Sequence, residues 1–159
     1  IESHGVTVHL VPNEEGSKAS LHCRIGPATD GGVILSGHMD VVPVAGQDWT
    51  SDPFVLNDKG DGKLYGRGSC DMKGFLACCL AALPQMVEAD LKKPIYLAFS
   101  YDEEVGCLSA PELARAGVRV IITPRTRQDA NDQLNRDSGS SIENARILHE
   151  HGVSMAIRP

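Results

Sequence analysis

Positive charge is in short supply in this sequence. Fifteen Lys and Arg stand against 21 Asp and Glu, for a net charge of −6. That balance argues against a nucleic-acid partner and against an anionic membrane surface, both of which would repel it. Long apolar runs are missing too: none approaches the roughly 20 residues that a membrane span needs. The first ten residues, "IESHGVTVHL", lack the basic flank and apolar stretch of a secretion signal. They open on Ile rather than Met, as a fragment would. The five cysteines, Cys23, Cys70, Cys78, Cys79 and Cys107, form an odd set with no C-x-x-C pair. This excludes a structural Cys–zinc motif, argues against a disulfide framework, and leaves reduced thiols in a cytoplasmic setting as the plain expectation. Repeats and low-complexity tracts are also lacking.

What remains is an ordinary globular composition, 42% hydrophobic and 23% charged over 159 residues, enough for one domain with a core. "GVTVHLVP" and "ASLHCRIG" alternate as strands on either side of the polar turn "NEEGSK". "VILSGHMDVV" is a continuous β-branched run of the kind that forms a strand covered on both faces. After a loop, "LNDKGDGKLYGRG" reads as a hairpin about residues 60 to 62. "DMKGFLACCLAALPQMVEAD" is apolar all round, a helix packed on a sheet with Cys78 and Cys79 inside, and Pro84 should kink or split it. "KPIYLAFS" is a second buried strand. "SAPELARAG" has Ser109 as N-cap, an early Pro111 and Gly117 at its end.

Strands alternating with helices give an α/β layer fold. Residues 1–117 form its core. Residues 118–159 form a divergent tail that completes the same domain, with strands in "VRVIITP" and "VSMAIRP", a polar loop between them and a helix in "IENARILHEHG". His149 and His151 on that helix are two apart and diverge.

Three places carry chemistry. His38 and Asp40 lie two apart at the end of a strand and share a face, where a carboxylate fixes the tautomer of an imidazole. Alone, an H-x-D pair is more simply a local hydrogen bond. Asp71 stands between a Gly-rich turn and a helix, where N-capping is its plainer role. Asp102, Glu103 and Glu104 follow a buried strand and either fan into solvent or share a cation. Sites in open α/β sheets form at the carboxyl ends of strands, and the joint pattern suits zinc or a neighbouring transition metal. Trp49 and Phe54 read as a loop anchored on the core, Arg67 and Lys73 as solvated or paired, and His4, His9 and His22 as residues without evident partners.

The stretches "SGHMDVVP", a Trp followed by "DPF", "LYGRGSCDMKG" and "DEEVG" occur in order. With them the chain resembles the acetylornithine deacetylase and succinyl-diaminopimelate desuccinylase family of di-zinc amide hydrolases. It is most similar to the acetylornithine deacetylase branch, over roughly residues 5 to 115. The resemblance implies a three-layer α/β/α zinc-exopeptidase-like domain with a mixed sheet. The homodimer typical of the family depends on an inserted dimerisation domain that this length does not accommodate. It also implies Zn2+, two ions with Co2+ as a substitute. His38 and Glu104 would be ligands, Asp71 the bridging carboxylate followed by a cis peptide to Met72, Asp40 the residue orienting His38, and Glu103 the general base. The implied substrate is a small N-acyl amino acid, N-acetylornithine foremost. Where the family supplies a zinc-binding Glu in a Gly-Glu-Pro-Thr-like segment, "VRVIITPRTRQ" has no acidic residue before Asp129. The second expectation is therefore a catalytically incomplete member that binds metal weakly or not at all. A barrel-type amidohydrolase is the third, disfavoured because the two histidines of the tail, His149 and His151, diverge on a helix and cannot share a metal.

Overall fold

The computed structural model describes residues 1–118 and the strands Val120–Ile122 and Met155–Ile157. Along the chain run β1 (Val8–Pro12), β2 (Ala19–Ile25), β3 (Val33–His38), β4 (Asn57–Asp58), β5 (Leu64–Tyr65), α1 (Lys73–Ala81), α2 (Leu83–Glu88), β6 (Ile95–Ser100), α3 (Ala110–Arg115), β7 (Val120–Ile122) and β8 (Met155–Ile157). The main sheet has the order β1-β2-β6-β3. Its first two pairings are antiparallel, and β3 runs parallel to β6. This is the mixed-sheet α/β architecture expected, and no second domain interrupts residues 1–118.

Register explains the core. Cys23 stands opposite Leu97 and Leu21 opposite Phe99, while Leu35 and Gly37 lie beside the same two residues on β3. Paired positions point to one face of a sheet. The stripe Leu76, Cys79 and Leu83 from α1 and α2 packs on that face with Val6 and Ile25. Each large apolar side chain buried there contributes about 1.5–3 kcal/mol. Helix and sheet approach closely at Gly37, where a Cβ would lie 2.7 Å from Leu76 Cδ2.

Pro84 splits the apolar helix as expected: α1 ends at Ala81 and α2 begins at Leu83 with the proline in its first turn. The helix is not buried all round, however. Phe75, Leu80 and Cys78 are exposed, and Cys79 alone of the two adjacent thiols reaches the core. A helix resting on one sheet face needs only a stripe, and the remaining apolar positions face outward. The reading of β3 as covered on both faces is corrected likewise, since Val33 is exposed and β3 ends the sheet order among the described residues. Ser109 occupies the N-cap position of α3, but its hydroxyl donates to the Tyr101 carbonyl at 2.6 Å instead of capping. Gly117 follows α3 with a positive φ, as read.

The strands expected in the tail exist as β7 and β8, which pair parallel with each other. The polar loop over 125–141, the helix over 142–152 and the histidines at 149 and 151 lie outside the described residues.

Candidate metal centre

Because β3 and β6 are parallel, their carboxyl ends reach one edge of the sheet, with His38 in register with Ser100. The Met39 N–H donates to the Ser100 carbonyl at 2.8 Å and extends the pairing one step further. The chain then leaves β6 through Tyr101 into the acidic loop. Ser109 ties the far end of that loop back to Tyr101. The Tyr101 hydroxyl donates to Glu112, which pushes the phenol up to about 12. A loop closed at both ends presents its carboxylates in a fixed order.

His38 is buried, and both ring nitrogens have partners. Nδ1 faces the Asp40 carbonyl at 3.0 Å, and Nε2 faces Asp71 Oδ1 at 3.0 Å. Burial by itself pushes this imidazole down. The Asp71 carboxylate, the Asp40 carbonyl and the charges of Asp40 and Glu103 outweigh it, so the ring holds its proton above the ordinary 6.5. The Asp40 carbonyl fixes the Nδ1–H tautomer and leaves Nε2 as the nitrogen turned toward Asp71 and Glu103.

The Asp40 carboxylate itself does something that the sequence did not suggest. It accepts the backbone N–H of Glu103 at 3.1 Å and of Glu104 at 3.0 Å. Its Oδ1 lies 3.5 Å from His38 Nδ1, farther than the carbonyl. Burial would raise its pKa, but the two amides from Glu104 and Glu103 outweigh that and hold it below the usual carboxylate range. Asp40 therefore orients the imidazole through its backbone and the glutamate loop through its side chain.

The three consecutive acids diverge. Asp102 turns to Lys18, with Nζ 2.6 Å from Oδ2. Glu103 is exposed, its Oε2 4.0 Å from His38 Nε2, and its Oε1 accepts from the Cys107 thiol at 3.7 Å. Burial and then the Glu103 charge push that thiol up, which keeps it a donor. Glu104 is partly buried, and its Oε1 is shielded from solvent with no hydrogen-bond partner among the described residues.

Donor atoms of His38, Glu103 and Glu104 all lie within 4.8 Å of one another. An imidazole nitrogen with two carboxylates is the donor set of a zinc or related transition-metal site. A buried carboxylate oxygen without a partner is costly unless a cation satisfies it. These residues fit a divalent metal. Asp71 does not share the 4.8 Å group; it meets the site through its hydrogen bond to Nε2, with a side chain 74% exposed. Asp71 does not cap α1, whose N-cap is Met72, and the Asp71–Met72 peptide is cis.

The flanking residues differ from expectation. Trp49 and Phe54 are both exposed rather than anchored on the core. Trp49 lies under the Arg67 guanidinium, 5.2 Å from the ring centroid, and both residues hydrogen-bond Gln47. Arg67 is paired, as read, and Lys73 is exposed at the start of α1. His9 and His22 do have partners, namely each other: their rings stack at 5.0 Å. Sequence reasoning missed Lys18 and Cys107, and neither belongs to a motif that could have signalled it.

Comparison with known proteins adds the following. The family described as Peptidase family M20/M25/M40 matches residues 34–151. An acetylornithine deacetylase of Proteus mirabilis (strain HI4320) is 40% identical over 111 residues, which are 69% of this chain and 28% of that protein. Human carnosine dipeptidase 1 superposes with a TM-score of 0.58 at 34% identity, covering 72% of this chain and 27% of its own. The M20 family metallo-carboxypeptidase Sso-CP2 of Sulfolobus solfataricus gives 0.61 at 22% identity, over 79% and 32%, and bears on the fold alone. The chain thus spans about a third or less of the relatives it matches.

Proposed function

The chain belongs to peptidase family M20/M25/M40, and from that premise we propose that it hydrolyses the amide bond of an N-acyl amino acid, N-acetylornithine foremost, to give acetate and ornithine. The family's enzymes are hydrolases that bind divalent metals, usually zinc. The observation that carries the reading is the convergence of His38, Glu103 and Glu104, with an unsatisfied buried oxygen on Glu104. In this reading His38, Asp71 and Glu104 would hold the metal. Zinc supplies Lewis-acid polarisation of the amide carbonyl and an acidified water, and Co2+ would serve in its stead.

The protein's own groups do the rest. The Asp40 carbonyl keeps His38 in the Nδ1–H tautomer, so Nε2 is available as a donor. The Asp40 carboxylate grips the Glu103 and Glu104 amides and fixes where their side chains start. Glu103, exposed beside His38, takes a proton from the attacking water and returns it to the departing amine nitrogen. Glu104 is committed to the metal, so the two adjacent glutamates divide the work instead of competing for it. The remainder of the chain, residues 118–159, completes the same domain. The setting is cytoplasmic and the pathway arginine biosynthesis. Among the described residues no helix is long and apolar enough to cross a membrane.

A second reading is favoured by one observation: His38, Glu103 and Glu104 make the only group of three or more metal donors among the described residues. A chain with so few ligands per ion would hold zinc weakly and turn over little. Metal analysis after mild dialysis, paired with an N-acetylornithine hydrolysis assay, separates the two. Retained zinc with acetate release supports the deacetylase; a folded chain that loses zinc and releases no acetate supports the incomplete form.

A further inference from the structure

Asp102 is one of two non-glycine residues with positive φ among the described residues, at 53°. Asp tolerates that conformation better than most residues, yet it still has to be held there. The turn it makes lets the next two amides converge on the Asp40 carboxylate, as successive N–H groups do around an anion. Without a cation, the Asp102 carboxylate would add to the repulsion among Asp40, Glu103 and Glu104.

Lys18 supplies that cation from 84 residues away, at 2.6 Å. Its backbone is pinned in the β1–β2 turn. Its N–H donates to Asn13 Oδ1 at 3.0 Å, its carbonyl accepts from the Asn13 N–H at 2.9 Å, and Asn13 Nδ2 donates to Ser17 Oγ at 3.1 Å. The acid end of the pair is the sheltered one, with Asp102 17% and Lys18 49% exposed.

We propose that Lys18 is a positioning residue for Glu103 and Glu104, acting through Asp102. The proposal rests on the reading of that glutamate pair as metal-site groups. The hairpin turn holds Asp102 in its left-handed conformation, and Asp102 sets the direction in which both glutamates leave the backbone.

The test compares the full chain with Lys18→Met/Asp102→Asn and with Lys18→Arg. The double variant removes one charge of each sign, so the site's net charge is unchanged, and Asn tolerates the same φ. Amide hydrogen exchange is read on chelator-treated protein, with zinc affinity measured separately by calorimetry. In the double variant the Glu103 and Glu104 amides should exchange about two- to fivefold faster, the scale of a partly exposed ion pair, while the Leu97 amide keeps its rate. Zinc affinity should fall about three- to tenfold, short of the roughly 10–100-fold loss on removing a group bonded directly to a ligand. Lys18→Arg, which keeps the ion pair, should leave both within about twofold of the parent chain. Unchanged Glu103 and Glu104 exchange, equal acceleration at Leu97, or faster exchange with undiminished zinc affinity overturns the proposal. If the parent chain retains no zinc, the hydrolase reading falls by itself and the exchange comparison alone decides the role of Lys18.

Discussion

His38 Nε2 and Asp71 Oδ1 stand 3.0 Å apart although 33 residues separate them. One comes from the end of a strand and the other from the turn before α1, so only folding unites them. The Asp71 side chain is largely exposed, so its carboxylate contributes little to the core. Asp71→Ala should therefore lower zinc retention by at least about tenfold while shifting unfolding free energy by no more than about 0.5 kcal/mol. Dialysis against graded chelator and a urea titration measure the two. Equal zinc retention in the variant would remove Asp71 from the site.

Glu103 and Glu104 are neighbours with opposite environments, one exposed and one with a buried oxygen. Glu103→Gln should slow amide hydrolysis about 10²–10⁴-fold with zinc content intact, the signature of a lost general base. Glu104→Gln should lose zinc and rate together. If Glu103→Gln strips the metal as well, Glu103 is a ligand, and the division of labour between the two fails.

Gly37 immediately precedes His38 on β3, and a Cβ there would lie 2.7 Å from Leu76 Cδ2 and 2.9 Å from Met72 Cε. Both are the far ends of flexible side chains, so the core would yield at a cost. Gly37→Ala should destabilise the fold by about 1–3 kcal/mol, read as a fall in the urea midpoint with unchanged slope. Because Met72 adjoins Asp71, the same variant should also weaken zinc retention. A neutral Gly37→Ala would mean that α1 sits farther from the sheet than described.

Much of this was legible before folding. Alternation marked β1 and β2, the run ending at Ser100 marked β6, and the acids at strand ends marked the site, because periodicity and strand-end chemistry are local properties. The rest depends on partners distant in sequence. Whether Cys78 or Cys79 enters the core is set by the rotation of α1 on the sheet. Three adjacent carboxylates gave no hint that Asp102 answers to Lys18, that Glu103 answers to His38 and Cys107, or that Glu104 Oε1 has no hydrogen-bond partner among the described residues. Asp40 was read as a partner of the imidazole through its carboxylate. That carboxylate lies 3.5 Å from the imidazole and also meets two amides more than 60 residues away, while the carbonyl is the nearer partner of the imidazole.

The stacked pair His9 and His22 gives the fold its own dependence on pH. The rings lie 5.0 Å apart with planes 20° from parallel, on directly paired positions of β1 and β2. Across the sheet His22 meets Ala98, which brings no charge. Burial lowers the His22 pKa from 6.5, and the charge of His9 lowers it further. A histidine whose pKa is lower folded than unfolded binds fewer protons in the native state. Its contribution is thus fully present above about pH 6.5 and is lost as pH falls through the lowered folded value. His22 should therefore subtract stability on acidification from pH 7 toward pH 5, opposite to His38, whose raised pKa favours the fold as pH falls. His22→Gln should thus gain stability relative to the parent chain at the acid end. Urea titrations at half-unit pH steps would show it. Parallel curves for the two proteins would mean that His22 titrates as freely folded as unfolded, and that the stacking carries no electrostatic cost.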